Sequence, residues 1–211
     1  MTEPTQLLEQ YAALLTRYHK TLDLLSDAGL ADLPRHLDDA LGYAQIIEDR
    51  AGPTPVIVDV GSGAGLPGIV IAAALPNATV HLVERRRRRT AFLELATSAL
   101  GLSNAHVHGG DVQELDGVCA DVITAQAVAD LATLVQLTRH LHRDPCWVVS
   151  RRGDEQREAL TDILAAAGLP PTSTAAEDAA AQAEVLVRAL EGRGSLVAVR
   201  LPGGSACLPS A

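Results

Sequence analysis

The chain has 211 residues, enough for one domain with an appendage. It is 47% hydrophobic and 20% charged, the balance of a globular protein with a sizeable core, and no apolar run reaches the roughly 18 residues that span a membrane. A net charge of −9 argues against a broadly basic nucleic-acid binder; the basic feature that stands out is the run Arg85 to Arg89.

The first twenty residues put acid before base and lack an apolar stretch, so no signal peptide is expected. Leu7, Leu8, Tyr11, Leu14, Leu15, Tyr18 and Leu22 recur at three and four, which predicts an amphipathic helix. The chain turns around Gly29. Leu33, Leu37, Ala40, Leu41 and Ala44 mark a second helix that ends before Gly52 and Pro53. From Val56 strands and helices alternate. "VIVDV" is a strand and Leu66–Leu75 a helix; "TVHLVE" is a strand and Arg88–Leu100 a helix; "AHVH" is a short strand. "DVITA" then precedes a helix over Leu131–Leu141, and "CWVVS" precedes one over Glu155–Ala167. Pro170 to Ala183 reads as a low-complexity connector. "AEVLVRAL" and "SLVAVRL", joined through "EGRG", close the chain as a hairpin.

This alternation predicts an α/β fold: a Rossmann-like, mostly parallel sheet with helices on both faces and a C-terminal antiparallel hairpin. The expected division is a helical extension over 1–52, a ligand-binding domain over 53–201 and a flexible tail over 202–211. Cys119, Cys146 and Cys207 are widely spaced and odd in number, which predicts reduced thiols, no metal pattern and a cytoplasmic location.

"VDVGSGAG" follows a strand and opens a helix, the place where doubly wound sheets bind ligands. Gly61, Gly63, Gly65 and Gly68 weaken both elements, so a close backbone approach to a ligand is their expected use. A dinucleotide site shows Gly-x-Gly-x-x-Gly; this spacing is Gly-x-Gly-x-Gly. Asp59 before it would repel a pyrophosphate, and suits the amine and sulfonium of S-adenosylmethionine. Glu84, ending the second strand, can accept both ribose hydroxyls. Asp111, after the third strand, can accept the adenine amino group.

"VDVGSGAGLPGIVIA", "LVERRRRRTAFL", "RHLDDAL" and "VVSRRG" resemble motifs of the GidB/RsmG-type 16S ribosomal RNA guanine-N7 methyltransferases. The resemblance covers roughly residues 5 to 201 and implies a class I methyltransferase fold. It implies a cofactor site of Asp59, Gly61, Ser62, Gly63, Gly65, Leu66, Glu84, Arg85, Asp111, Val112 and Gln126. It also implies acceptor-side or catalytic roles for His36, Gln126 and Arg152. The chain departs from the family at several polar positions. Gln126 and Gly110 stand where the family has Arg, Arg152 where it has Lys, and Tyr18-His19 and Asp23 where it has Trp-Asn and Asn. Two acceptors therefore stay open: 16S RNA or the small ribosomal subunit, met through Arg85–Arg89, and a small molecule methylated on N or O. A cofactor-binding protein without transferase activity is the third reading.

Overall fold

The computed structural model describes residues 4–126, 129–153, 184–190 and 194–201. Three helices come first: α1 (Pro4–Tyr18), α2 (Asp27–Ala31) and α3 (Leu33–Arg50). The turn expected near Gly29 is instead the short α2, whose N-terminus is capped by Ser26 accepting from the Gly29 amide at 3.0 Å. Then follow β1 (Val56–Val60), α4 (Gly68–Ala74), β2 (Thr79–Glu84), α5 (Arg87–Leu100), β3 (Ala105–Gly109), β4 (Ala120–Ala125) and α6 (Leu131–Thr138). The last strands are β5 (His142–Arg152), β6 (Glu184–Ala189) and β7 (Ser195–Leu201). The helix expected over 155–167, the connector, the turn at 191–193 and the tail lie outside the described residues.

The seven strands form one sheet in the order β3-β2-β1-β4-β5-β7-β6. All pairs are parallel up to β5; β7 runs antiparallel to both β5 and β6, as the terminal hairpin predicts. The strand order reverses between β1 and β4, so the crevice of this fold opens at the carboxyl ends of those strands. β1 and β4 are apolar and buried along nearly their whole length because helices cover both faces.

The core lies in two layers. One holds Ile57, Val80, Leu82, Phe92 and Leu93 together with Tyr11, Leu15, Tyr43 and Ile47 of the N-terminal helices. The other packs Val58, Val83 and Ile123 against Leu131, Leu134 and Val135 of α6. The N-terminal helices thus share one apolar cluster with the sheet.

Two tyrosine hydroxyls complete that joint. Tyr11 donates to the Ala64 carbonyl at 2.6 Å, and Tyr43 to the Ala125 carbonyl at 3.0 Å. Burial first, and the nearby Asp59 carboxylate second, raise both phenols, so they stay protonated donors. Cys146 is a free, buried thiol, and Cys207 lies outside the described residues.

Tyr11→Phe removes the donor and leaves the buried Ala64 carbonyl unpaired. Thermal or urea unfolding should show a loss of about 1–3 kcal/mol with secondary structure retained.

Candidate functional site

The loop after β1 wraps around a single carboxylate. Glu84 is buried; its Oε2 accepts from the Gly63 amide at 2.9 Å and its Oε1 from the Arg86 amide at 2.8 Å. The Ser62 amide donates to the Val83 carbonyl at 3.0 Å, so the loop is tied to β2 at two successive residues. Gly61 and Gly63 sit at φ of 67° and 57°, a left-handed backbone that glycine adopts without a Cβ clash.

Beside this loop is a cleft of about 1060 Å³ at the carboxyl ends of β1, β2 and β4. Its lining includes Gly61, Ser62, Gly63, Leu66, Glu84, Arg85, Asp111, Val112, Gln126 and His36. Ten of the expected site residues therefore meet in one place. Asp111 caps the turn that follows β3 by accepting from the Gln113 amide at 3.1 Å, and its other oxygen lies 3.4 Å from Arg85. His36 Nδ1 and Gln126 Oε1 are buried and have no hydrogen-bond partner among the described residues. Burial without a partner is costly, so both atoms suit a ligand that brings polar groups into the cleft.

Three expected residues do not line the cleft. Gly65 faces inward: a Cβ there would stand 2.5 Å from Ile69 Cδ1 and 2.9 Å from the Tyr11 hydroxyl. The missing side chain at this position makes room for Tyr11 and Ile69. Asp59 is fully buried beneath the loop, where its Oδ1 accepts from Thr124 Oγ1 at 2.8 Å. Arg152 is buried behind the cleft and donates to the carbonyl of Ala129, which does line it, at 2.7 Å. Gly68 is another packing glycine, since a Cβ would collide with Leu82 and approach Asp59 Oδ2 to 2.6 Å.

The cleft also has walls that motif reasoning missed. Leu24 and Leu25, between α1 and α2, line it, as do Arg86 and Arg89. The adjacent leucines carry no motif, and only Asp23 beside them, set against its family counterpart, marked the segment.

These residues fit S-adenosylmethionine: a positive-φ glycine loop, a carboxylate at the end of β2, an acid after β3, and two polar residues, His36 and Gln126, in the same lining. The model of the GidB family, rRNA small subunit methyltransferase G, matches residues 4–170. The chain belongs to this family. A ribosomal RNA small subunit methyltransferase G from Neisseria meningitidis is 37% identical over 147 residues, 68% of each chain. One from Halorhodospira halophila is 34% identical over 157 residues, 74% of this chain and 73% of that one. Solved structures similar in fold include a putative S-adenosylmethionine-dependent methyltransferase of Methanococcus maripaludis. It has a TM-score of 0.56 and 13% identity, covering 93% of this chain and 94% of that one. A mutant of MtNAS in complex with S-adenosylmethionine has a TM-score of 0.55 and 19% identity, over 95% and 76%. The protein is an S-adenosylmethionine-dependent methyltransferase of the class I fold.

Asp59 supplies a pH test. Burial raises its pKa to about 6; the hydroxyls of Thr124 and Ser62 and the Gly68 amide oppose the rise, and Glu84 adds to it. A raised acid stabilises the fold fully below its unfolded pKa of about 4, and that contribution is lost as pH climbs through about 6. Asp59→Asn can still accept from Thr124 and never ionises. Its melting temperature should exceed that of the parent at pH 7.5, by the equivalent of about 1–3 kcal/mol, and the gap should close toward pH 4. An equal gap at both pH values would remove the burial argument.

Proposed function

We propose that the protein methylates N7 of a guanine in 16S ribosomal RNA, working in the cytoplasm on the small ribosomal subunit. The observation that carries this reading is the family match over residues 4–170, which includes the glycine loop, Glu84 and the basic run.

Bound S-adenosylmethionine supplies an electrophilic methyl group on a sulfonium. Glu84 has oxygen lone pairs left for ribose hydroxyls after binding the two backbone amides, and Asp111 is placed for the adenine amino group. Guanine N7 carries a free lone pair at neutral pH, so no general base is needed. The residues around it need only orient the base and exclude water. Orientation of this kind is worth about 7–11 kcal/mol in well-aligned reactions. Asp39, one turn along α3 from His36, is buried and lies 3.7 Å from Arg151 Nε. The unsatisfied Nδ1 of His36 and Oε1 of Gln126 are read as contacts for acceptor or cofactor. Arg152 acts one step back, by holding the Ala129 carbonyl.

The basic run divides by partner. Arg85 faces Asp111, and Arg86 and Arg89 face Asp23. Arg87 and Arg88 are exposed, and no partner among the described residues holds them. They open α5 without an acidic residue in its first turn, where a cation is unfavourable to the helix dipole. An RNA phosphate would relieve that arrangement.

Two measurements test the reading. Methyl-labelled cofactor and small subunits lacking the guanine-N7 mark should give label in 16S RNA. No label, with cofactor binding intact, would turn the search to a small-molecule acceptor. Replacing Arg87 and Arg88 together by Ala should flatten the plot of log affinity for the subunit against log salt by about 1.4–1.8, two phosphate contacts' worth. An unchanged slope would place the RNA contact elsewhere.

A further inference from the structure

The guanidinium of Arg89 reaches out of α5 to the segment between α1 and α2. Its Nε and one terminal nitrogen both donate to the Asp23 carbonyl, at 3.1 and 2.8 Å. The same nitrogen lies 3.7 Å from the Asp23 carboxylate, and Arg86 lies 4.0 Å from it. The other terminal nitrogen is turned to the glycine loop, 3.6 Å from where a Cβ of Gly63 would stand. Asp23 has φ of 53°, a left-handed backbone that Asp and Asn tolerate better than other side chains. The next two residues, Leu24 and Leu25, line the cleft.

We propose that Arg89 is a positioning residue for the cofactor: by forking the Asp23 carbonyl above the glycine loop, it fixes Leu24 and Leu25 as a wall of the cleft. The proposal rests on the reading that this cleft holds S-adenosylmethionine. The carbonyl contact carries it. Arg89 is 23% exposed whereas the Asp23 side chain is 85% exposed, so the carboxylate pair is largely screened by water. Two donors in one plane meeting one oxygen are a property of guanidinium that an ammonium lacks. A wall ordered before the ligand arrives spares the ligand the ordering cost, which appears as affinity. The contact also gives part of the arginine run a use within the protein.

The test is calorimetric titration of the full chain with S-adenosylhomocysteine, for the parent, Arg89→Ala, Arg89→Lys, Asp23→Asn and Gly63→Val. Arg89→Ala should weaken binding by roughly 10-fold. Arg89→Lys should recover only part of that, and Asp23→Asn should lose less than about 3-fold. In turnover the Arg89→Ala loss should fall on KM for the cofactor rather than on kcat. Normal affinity in Arg89→Ala, or full recovery in Arg89→Lys, overturns the proposal when Gly63→Val has lost binding. Normal affinity in Gly63→Val overturns the cleft reading beneath it. Should Arg89→Ala fail to fold, hydrogen exchange on the parent decides: the Leu24 and Leu25 amides should exchange more slowly with S-adenosylhomocysteine bound, and unchanged rates refute the wall.

Discussion

The carboxylate of Glu84 organises the ligand edge of this fold. One oxygen holds the amide of Gly63 and the other the amide of Arg86, so a single side chain joins the loop after β1 to the start of α5. A buried carboxylate needs such donors, and backbone amides at two chain turns supply them without a counter-cation. The left-handed backbone of Gly61 and Gly63 brings the loop down to this acid. The protein's own bonds therefore hold the loop in this shape. Thr90 Oγ1 extends the tie by donating to the Glu84 carbonyl at 3.0 Å.

The N-terminal helices complete the same edge. Tyr11 takes the Ala64 carbonyl in the loop after β1, and Tyr43 takes the Ala125 carbonyl at the end of β4, next to Gln126. One hydroxyl reaches a carbonyl in the loop after β1 and the other the last carbonyl of β4, both at the carboxyl edge of the sheet. These bonds span 53 and 82 residues of sequence, so the site depends on tertiary packing of the whole helical unit. An extension that only decorated the sheet would not bury its tyrosines at the two loops that form the cleft.

Much of the fold was legible because alternation of strand and helix is a local pattern. Element edges moved by a few residues: the helix expected from Leu66 begins at Gly68, and the strand expected as "CWVVS" runs from His142 to Arg152. The site was legible where chemistry and strand ends coincide, as at Gly61, Gly63, Glu84 and Asp111. Where a residue's sequence position fits the motif but its Cβ direction or side chain faces the core, the structure adds a packing reason that the motif does not reveal. Gly65, Gly68 and Asp59 belong to the loop motif, yet close packing with Tyr11, Ile69 and Leu82 explains the two glycines. One oxygen of the buried Asp59 carboxylate is held by Thr124. Leu24, Leu25 and Arg89 were missed for the opposite reason: nothing in a leucine pair or an arginine run says which face a distant turn will cover.

The arginine run shows how an acidic chain can hold a basic site. A net charge of −9 is a sum over the surface, whereas an approaching phosphate responds to charge within about a Debye length of 8–10 Å. Three of the five arginines face Asp111 or Asp23, and those acids cancel much of their field at a distance. Their geometry is then free to shape the cleft rather than to attract RNA. Arg87 and Arg88 keep their field, and they project from the first turn of the helix whose preceding loop Glu84 anchors. A polyanion drawn to them is thereby brought alongside the cleft. On the proposed reading, attraction and positioning are divided between neighbouring residues of one run, a division that would let a protein of low overall basicity approach a charged substrate without filling its cofactor site with unpaired cations.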